Sequence, residues 1–69
     1  MLEIFVKEGC PYCRQQMADF DRDGKSYKVH NVSSDSEALH KAKVQFKANK
    51  VPVVVEDGEV KSVGYQGAG

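Results

Sequence analysis

Val51 to Val55 is β-branched at every position except Pro52, and just beyond it Asp57-Gly58 leads into Glu59 to Val63. Asp-Gly between two such runs is among the strongest hairpin signals. The two-residue turn that matches strand twist needs positive φ at both central positions. The end of the chain is therefore committed to a pair of antiparallel strands. A lone hairpin is marginal in water, so the remaining residues must supply the sheet and helices that bury it.

Leu2, Ile4 and Val6 alternate with Glu3 and Phe5 in a short apolar run that reads as a buried first strand, ending at Glu8-Gly9. Pro11 suits the first turn of a helix, where its missing N–H costs nothing. Cys13, Met17 and Phe20 follow at helical spacing as core positions, and the stripe runs out near Asp23-Gly24. Tyr27, Val29 and Val32 predict a second strand over residues 26–32. Ser33 or Ser34 is expected to cap the next helix, with Asp35 and Glu37 in its first turn. Its apolar face is Ala38, Leu39, Ala42 and Phe46, and lysines fill the other face. The order is β-α-β-α-β-β. A helix joining the first two strands implies a parallel pair reached by a right-handed crossover. With the hairpin added, this is an α/β domain on a mixed four-stranded sheet.

At 69 residues there is room for one domain and no separate substrate domain. Lys+Arg and Asp+Glu both number 10, a balance that points to neither nucleic acid nor an anionic membrane. The start, MLEIFVKEG, has neither the basic lead nor the apolar length of a signal peptide. No stretch approaches the roughly 20 apolar residues that span a bilayer. The expectation is a cytoplasmic protein, where a cysteine pair is catalytic or metal-binding rather than a structural staple.

Cys10 and Cys13 stand two residues apart at the strand-to-helix junction. At that place unpaired backbone N–H groups and the positive end of the helix stabilise a thiolate on Cys10, the attacking sulfur. Cys13, about one turn further on, can attack a mixed disulfide at Cys10 and release the substrate thiol. Lys7 and Arg14 flank the pair with positive charge. A structural disulfide here would close too short a loop to contribute more than about 2 kcal/mol. A zinc site would need His30 and His40, whose nine intervening residues do not fit the about 3–5 of a finger. No metal is therefore expected, and both histidines read as solvated or partly packed. Asp19, Asp21 and Asp23 read as a solvated face.

Cys10-Pro11-Tyr12-Cys13 at the end of a first strand, followed some forty residues later by Val51-Pro52 and the Asp-Gly hairpin, resembles the glutaredoxins over almost the whole chain. Thioredoxins match less well, having Trp-Cys-Gly-Pro-Cys and a buried Asp where this chain has Ile4. The resemblance implies one glutaredoxin-like domain over residues 1–69 with a minimal thioredoxin-like fold and sheet order 2-1-3-4. It marks Val51-Pro52 as a cis-proline loop facing the cysteines, where Val51 pairs its backbone with the substrate as an added strand would. Lys7 matches a lysine that holds a carboxylate of glutathione, and Pro11 and Tyr12 match the motif beside the glutathione groove. Lys50, with Lys47, stands where the glycyl carboxylate is held, and Pro52 completes that wall.

At the far end Gly64 matches the first of the family's paired glycines. Tyr65 and Gly67 replace the second glycine and an Asp that holds the γ-glutamyl end, with Gln66 between them. Tyr65 either lines the groove or covers the sheet edge. A glycine followed by an aromatic also resembles the NrdH-redoxins, which take electrons from thioredoxin reductase. The family's third helix is missing from the sequence to Gly69, which implies a partly uncovered sheet face.

The implied activity is that of a glutathione-dependent thiol–disulfide oxidoreductase, with glutathione as co-substrate and disulfide or glutathionylated proteins as partners. It would act as a monomer or weak homodimer. Thioredoxin reductase is the alternative electron donor. An iron–sulfur module, in which two chains share a cluster through Cys10 and glutathione, is the alternative of another class, disfavoured by the stiffness of Pro11. A purely structural interaction domain is the last.

Overall fold

A computed structural model of the chain describes residues 1–65. Strand β1 (Leu2–Val6) leads into helix α1 (Pro11–Arg22) and strand β2 (Lys28–Asn31). Helix α2 (Ser36–His40) continues as a π-helical turn, Lys41–Gln45, before strands β3 (Val53–Glu56) and β4 (Glu59–Val63). The sheet order is β2-β1-β3-β4. β1 pairs parallel with β2 and antiparallel with β3, and β3 pairs antiparallel with β4. Both the element order and the sheet order are those expected from the sequence.

β1 is central because its side chains serve both faces. Ile4 and Val6 pack with Val54, Cys10, Cys13 and Phe20 beneath α1. Phe5 packs with Val53, Val55, Ala38 and Ala42 beneath α2. Among the described residues each sheet face thus carries one helix, and the continuous apolar run of β1 follows from burial on both sides. Asp57 and Gly58 both take positive φ (53° and 81°), the turn that Asp-Gly predicts.

Local details differ from expectation. β2 is shorter than residues 26–32. Tyr27 precedes it, with its ring against Phe20 and its hydroxyl donating to Asp21 Oδ1 at 2.9 Å. β3 begins at Val53, so Val51 and Pro52 form a loop. The cap of α2 is Asp35, whose Oδ1 accepts from the Glu37 and Ala38 N–H groups at 3.0 and 3.3 Å. Ser33 is unavailable for that role because its Oγ accepts from the Glu8 N–H at 3.0 Å, tying the loop after β2 to the end of β1. Past His40 the helix widens, with the Phe46 N–H reaching the Lys41 carbonyl at 2.9 Å, and Lys47 ends it in the left-handed region at φ 52°.

Candidate active site

The turn after β1 delivers Cys10 to the start of α1. Gly9 sits at φ 70° with open space where a Cβ would stand, so backbone conformation rather than crowding calls for glycine there. Cys10 is the N-cap residue of α1 and Pro11 fills the first helical position. The Cys10 Sγ accepts the Cys13 N–H at 3.2 Å, the bond usually supplied by a Ser or Asp cap. The sulfur therefore faces a backbone donor and the positive end of the helix.

The two sulfurs are not equivalent. Cys10 is 6% exposed and Cys13 is 1% exposed, so Cys10 is the one an incoming disulfide can reach. Burial, followed by a hydrogen bond to Cys10, pushes the Cys13 thiol up to about 12, against the opposing pull of a hydrogen bond from the Lys7 backbone. At neutral pH Cys13 is therefore a protonated thiol beneath a reachable sulfur. Both cysteines are free, not disulfide-bonded.

The proline loop closes over this pair. The Val51–Pro52 peptide is cis, as the resemblance implies. Pro52 is fully buried, and Val51 packs against the cluster that contains both cysteines. The Gly64 N–H donates to the Pro52 carbonyl at 2.8 Å and holds the end of β4 to the loop. Lys7 and Arg14 line a groove of about 250 Å³ with Val6, Gly9, Met17 and the two cysteines. Lys7 also lines a second groove, of about 210 Å³, that includes Lys43, Lys50 and Val51. Lys43, rather than Lys47, joins Lys50 on that wall.

Tyr12 is exposed beside Cys10, and its ring stacks near-parallel on Tyr65 at 6.5 Å between centroids. The Tyr65 hydroxyl donates to Asp19 Oδ2 at 2.6 Å. Tyr65 thus flanks the cysteine motif instead of merely covering the sheet edge. That bond to Asp19, reinforced by burial, raises the phenol above its ordinary range. Of the solvated face expected at Asp19, Asp21 and Asp23, Asp21 and Asp23 are exposed and Asp19 is half-buried. Asp19 and Asp21 accept from tyrosines, and Arg22 pairs with Asp19 and Asp23 at 3.5 and 3.7 Å.

Sequence spacing alone could not single out Asp19, although its place two turns along α1 from Tyr12 puts the two on one helix face. His30 stacks on Phe5 at 4.6 Å and pairs with Glu3 at 2.8 Å, so it is a packing residue of the sheet edge. Gln66 lies outside the described residues.

Known proteins agree with this geometry. A family model described as Glutaredoxin matches residues 2–61. The Gene 56 protein of Mycobacterium phage D29 is 31% identical over 65 residues, which cover 94% of this chain and 72% of that protein. The crystal structure of the thioredoxin-like protein BC3987 superposes with a TM-score of 0.89 at 26% identity, covering 96% of this chain and 89% of that one. The glutaredoxin (grx-1) from Archaeoglobus fulgidus shares the fold, with a TM-score of 0.75 at 22% identity over 93% of this chain and 74% of its own. No helix among the described residues is long and apolar enough to cross a membrane. The cysteine pair at the head of α1, the thioredoxin-like sheet and the family match converge: the chain belongs to the glutaredoxin family and is a thiol–disulfide oxidoreductase with a Cys10–Cys13 redox pair.

Proposed function

We propose that the chain is a glutathione-dependent reductase of protein–glutathione mixed disulfides and of protein disulfides. The observation that carries this is the division of labour between a capping, reachable Cys10 and a buried, protonated Cys13. The Cys10 thiolate attacks the glutathione sulfur of a mixed disulfide. A Cys10–glutathione bond forms, the protein–glutathione bond breaks, and the protein thiolate leaves and takes up a proton. A second glutathione thiolate then attacks the glutathione sulfur held on Cys10, releasing oxidised glutathione and regenerating the Cys10 thiolate.

With a protein disulfide, the partner's sulfur remains bonded to Cys10 until Cys13 loses its proton and attacks Cys10. The second partner thiol departs and a Cys10–Cys13 disulfide remains, which two glutathiones reduce. Bonding Cys10 to the partner removes the charge and hydrogen bond that hold the Cys13 proton. Cys13 becomes a better nucleophile at the step that needs it. Glutaredoxins sit near about −200 to −230 mV, within reach of a cytoplasmic glutathione pool, which is the compartment this reading requires.

Val51 would pair with the substrate backbone beside Pro52, Lys7 and Lys50 would hold carboxylates of glutathione, and Pro11, Tyr12, Gly64 and Tyr65 would wall the site. A specific observation favours a second donor, thioredoxin reductase. Tyr65 replaces the family's second glycine, and its ring fills the space over Tyr12. Reduction of a small mixed disulfide, with glutathione and its reductase run beside thioredoxin reductase, separates the two. Glutathione-dependent turnover that survives Cys13→Ser supports the proposal. Turnover with thioredoxin reductase alone, lost in Cys13→Ser, replaces it with the NrdH-like reading. No turnover with either donor refutes both.

A further inference from the structure

The groove between α2 and the segment that leads into the proline loop is lined by Val32, Leu39, Ala42, Ala48 and Val51 with Lys7, Lys43 and Lys50 around them. At about 210 Å³ it falls below the about 300–1,000 Å³ of a small-molecule site, and it suits a side chain rather than a cofactor. Its charge is one-sided. Three lysines and no acidic residue line it, although the chain carries ten acidic residues and is neutral overall. Six of the ten carboxylates lie away from it, at the end of α1 (Asp19, Asp21, Asp23) and around the hairpin (Glu56, Asp57, Glu59), while Glu8, Asp35 and Glu37 lie on neighbouring segments but outside its lining.

The groove is also continuous with the redox site. Lys7 belongs to its wall and to that of the cysteine groove, and Val51 belongs to the loop that packs against the cysteines. We infer that it is a docking surface for an acidic, apolar segment of the disulfide protein that Cys10 attacks. An aliphatic side chain of that segment would rest on Leu39, Ala42 and Ala48, and its flanking carboxylates would face Lys7 and Lys43. The identification of the occupant as a redox substrate rests on the proposed function, whereas the binding does not. A carboxylate of glutathione held by Lys7 and Lys50 accounts for neither the aliphatic floor nor Lys43.

The probe is a short peptide of alternating Glu and Leu around a serine in place of the reactive cysteine, titrated into the full chain and followed by amide chemical shifts. Binding should move Val32, Leu39, Ala48 and Val51. It should fade as salt rises toward about 1 M, where the Debye length shrinks to about 3 Å. It should weaken about five- to tenfold in Lys43→Glu, a reversal at an exposed site. The same change at Lys61, on β4, should leave it intact. Replacing the peptide's Leu by Ser should abolish it.

Equal affinity for a Lys-for-Glu peptide, shifts centred elsewhere, or equal losses in Lys43→Glu and Lys61→Glu would overturn the inference. Small-disulfide turnover is read separately. A chain inert in that assay that still binds the acidic peptide keeps the docking surface and loses the redox partner. A chain active there that ignores the peptide keeps the enzyme and loses the surface.

Discussion

Alkylation of the reduced protein tests the division between the two sulfurs. Cys13 is pushed up to about 12, so at pH 7 only about one molecule in 10⁵ carries it as thiolate, against a few per cent for an ordinary cysteine. Because alkylating reagents attack the thiolate, Cys13 should react about three orders of magnitude more slowly than a free cysteine, before any further slowing from its burial. Replacing Cys10 by Ala removes a hydrogen bond and a charge that both hold the Cys13 proton, but burial, the larger cause, stays. Cys13 in Cys10→Ala should therefore react faster than in the parent and still slower than a free cysteine. The assay is a pH series of iodoacetamide labelling with each site resolved by mass spectrometry. Labelling of Cys13 in the parent at neutral pH within about tenfold of a free cysteine, or no acceleration in Cys10→Ala, would refute the reasoning.

The remaining predictions concern stability and the aromatic flank. The folded, reduced chain holds the Cys13 proton more tightly than an unfolded chain, whose thiol titrates near 9.0. That stabilisation is complete below pH 9 and is lost as pH rises toward about 12. Denaturant melts across that range should show a loss in the reduced protein that Cys13→Ala lacks. Asp35→Ala should cost about 1 kcal/mol, a fall in melting temperature of about 4–8 °C for a domain of this size, whereas Ser34→Ala should leave α2 unchanged. Tyr65 should titrate above ordinary tyrosine and return toward it in Asp19→Asn, followed by phenolate absorbance, because the carboxylate partner is the leading cause.

Local signals made much of this molecule legible. The Asp-Gly turn and the apolar run of β1 depend on neighbours a few residues away, and both formed as their sequence indicates. The cysteine cap was readable for the same reason, since Cys10, Pro11 and Cys13 meet within one turn. What escaped were choices made across the chain. Ser33, Ser34 and Asp35 are all good caps, and the selection turns on Ser33 being held by Glu8, 25 residues away. Asp19 looked like one of three solvated acids because its partner, Tyr65, lies 46 residues further on. Lys47 leaves the helix in the left-handed region, so the helical lysine on the groove is Lys43, one turn after Leu39, rather than Lys47.

The bond from the Cys13 N–H to the Cys10 sulfur joins helix stability to electron affinity. When Cys10 enters a disulfide, its sulfur becomes a poorer acceptor and α1 loses part of its cap. Whatever free energy the cap contributes therefore belongs to the reduced state alone. A cap is worth about 1 kcal/mol, and about 1.4 kcal/mol corresponds to 30 mV in a two-electron couple, so this one bond shifts the potential by about 20 mV toward the oxidising side. Residues in the first turn of α1 that never touch a substrate can thus tune how readily this protein gives up its electrons. A change that strengthens this bond, and so the reduced state alone, makes the disulfide easier to reduce and the dithiol a weaker reductant.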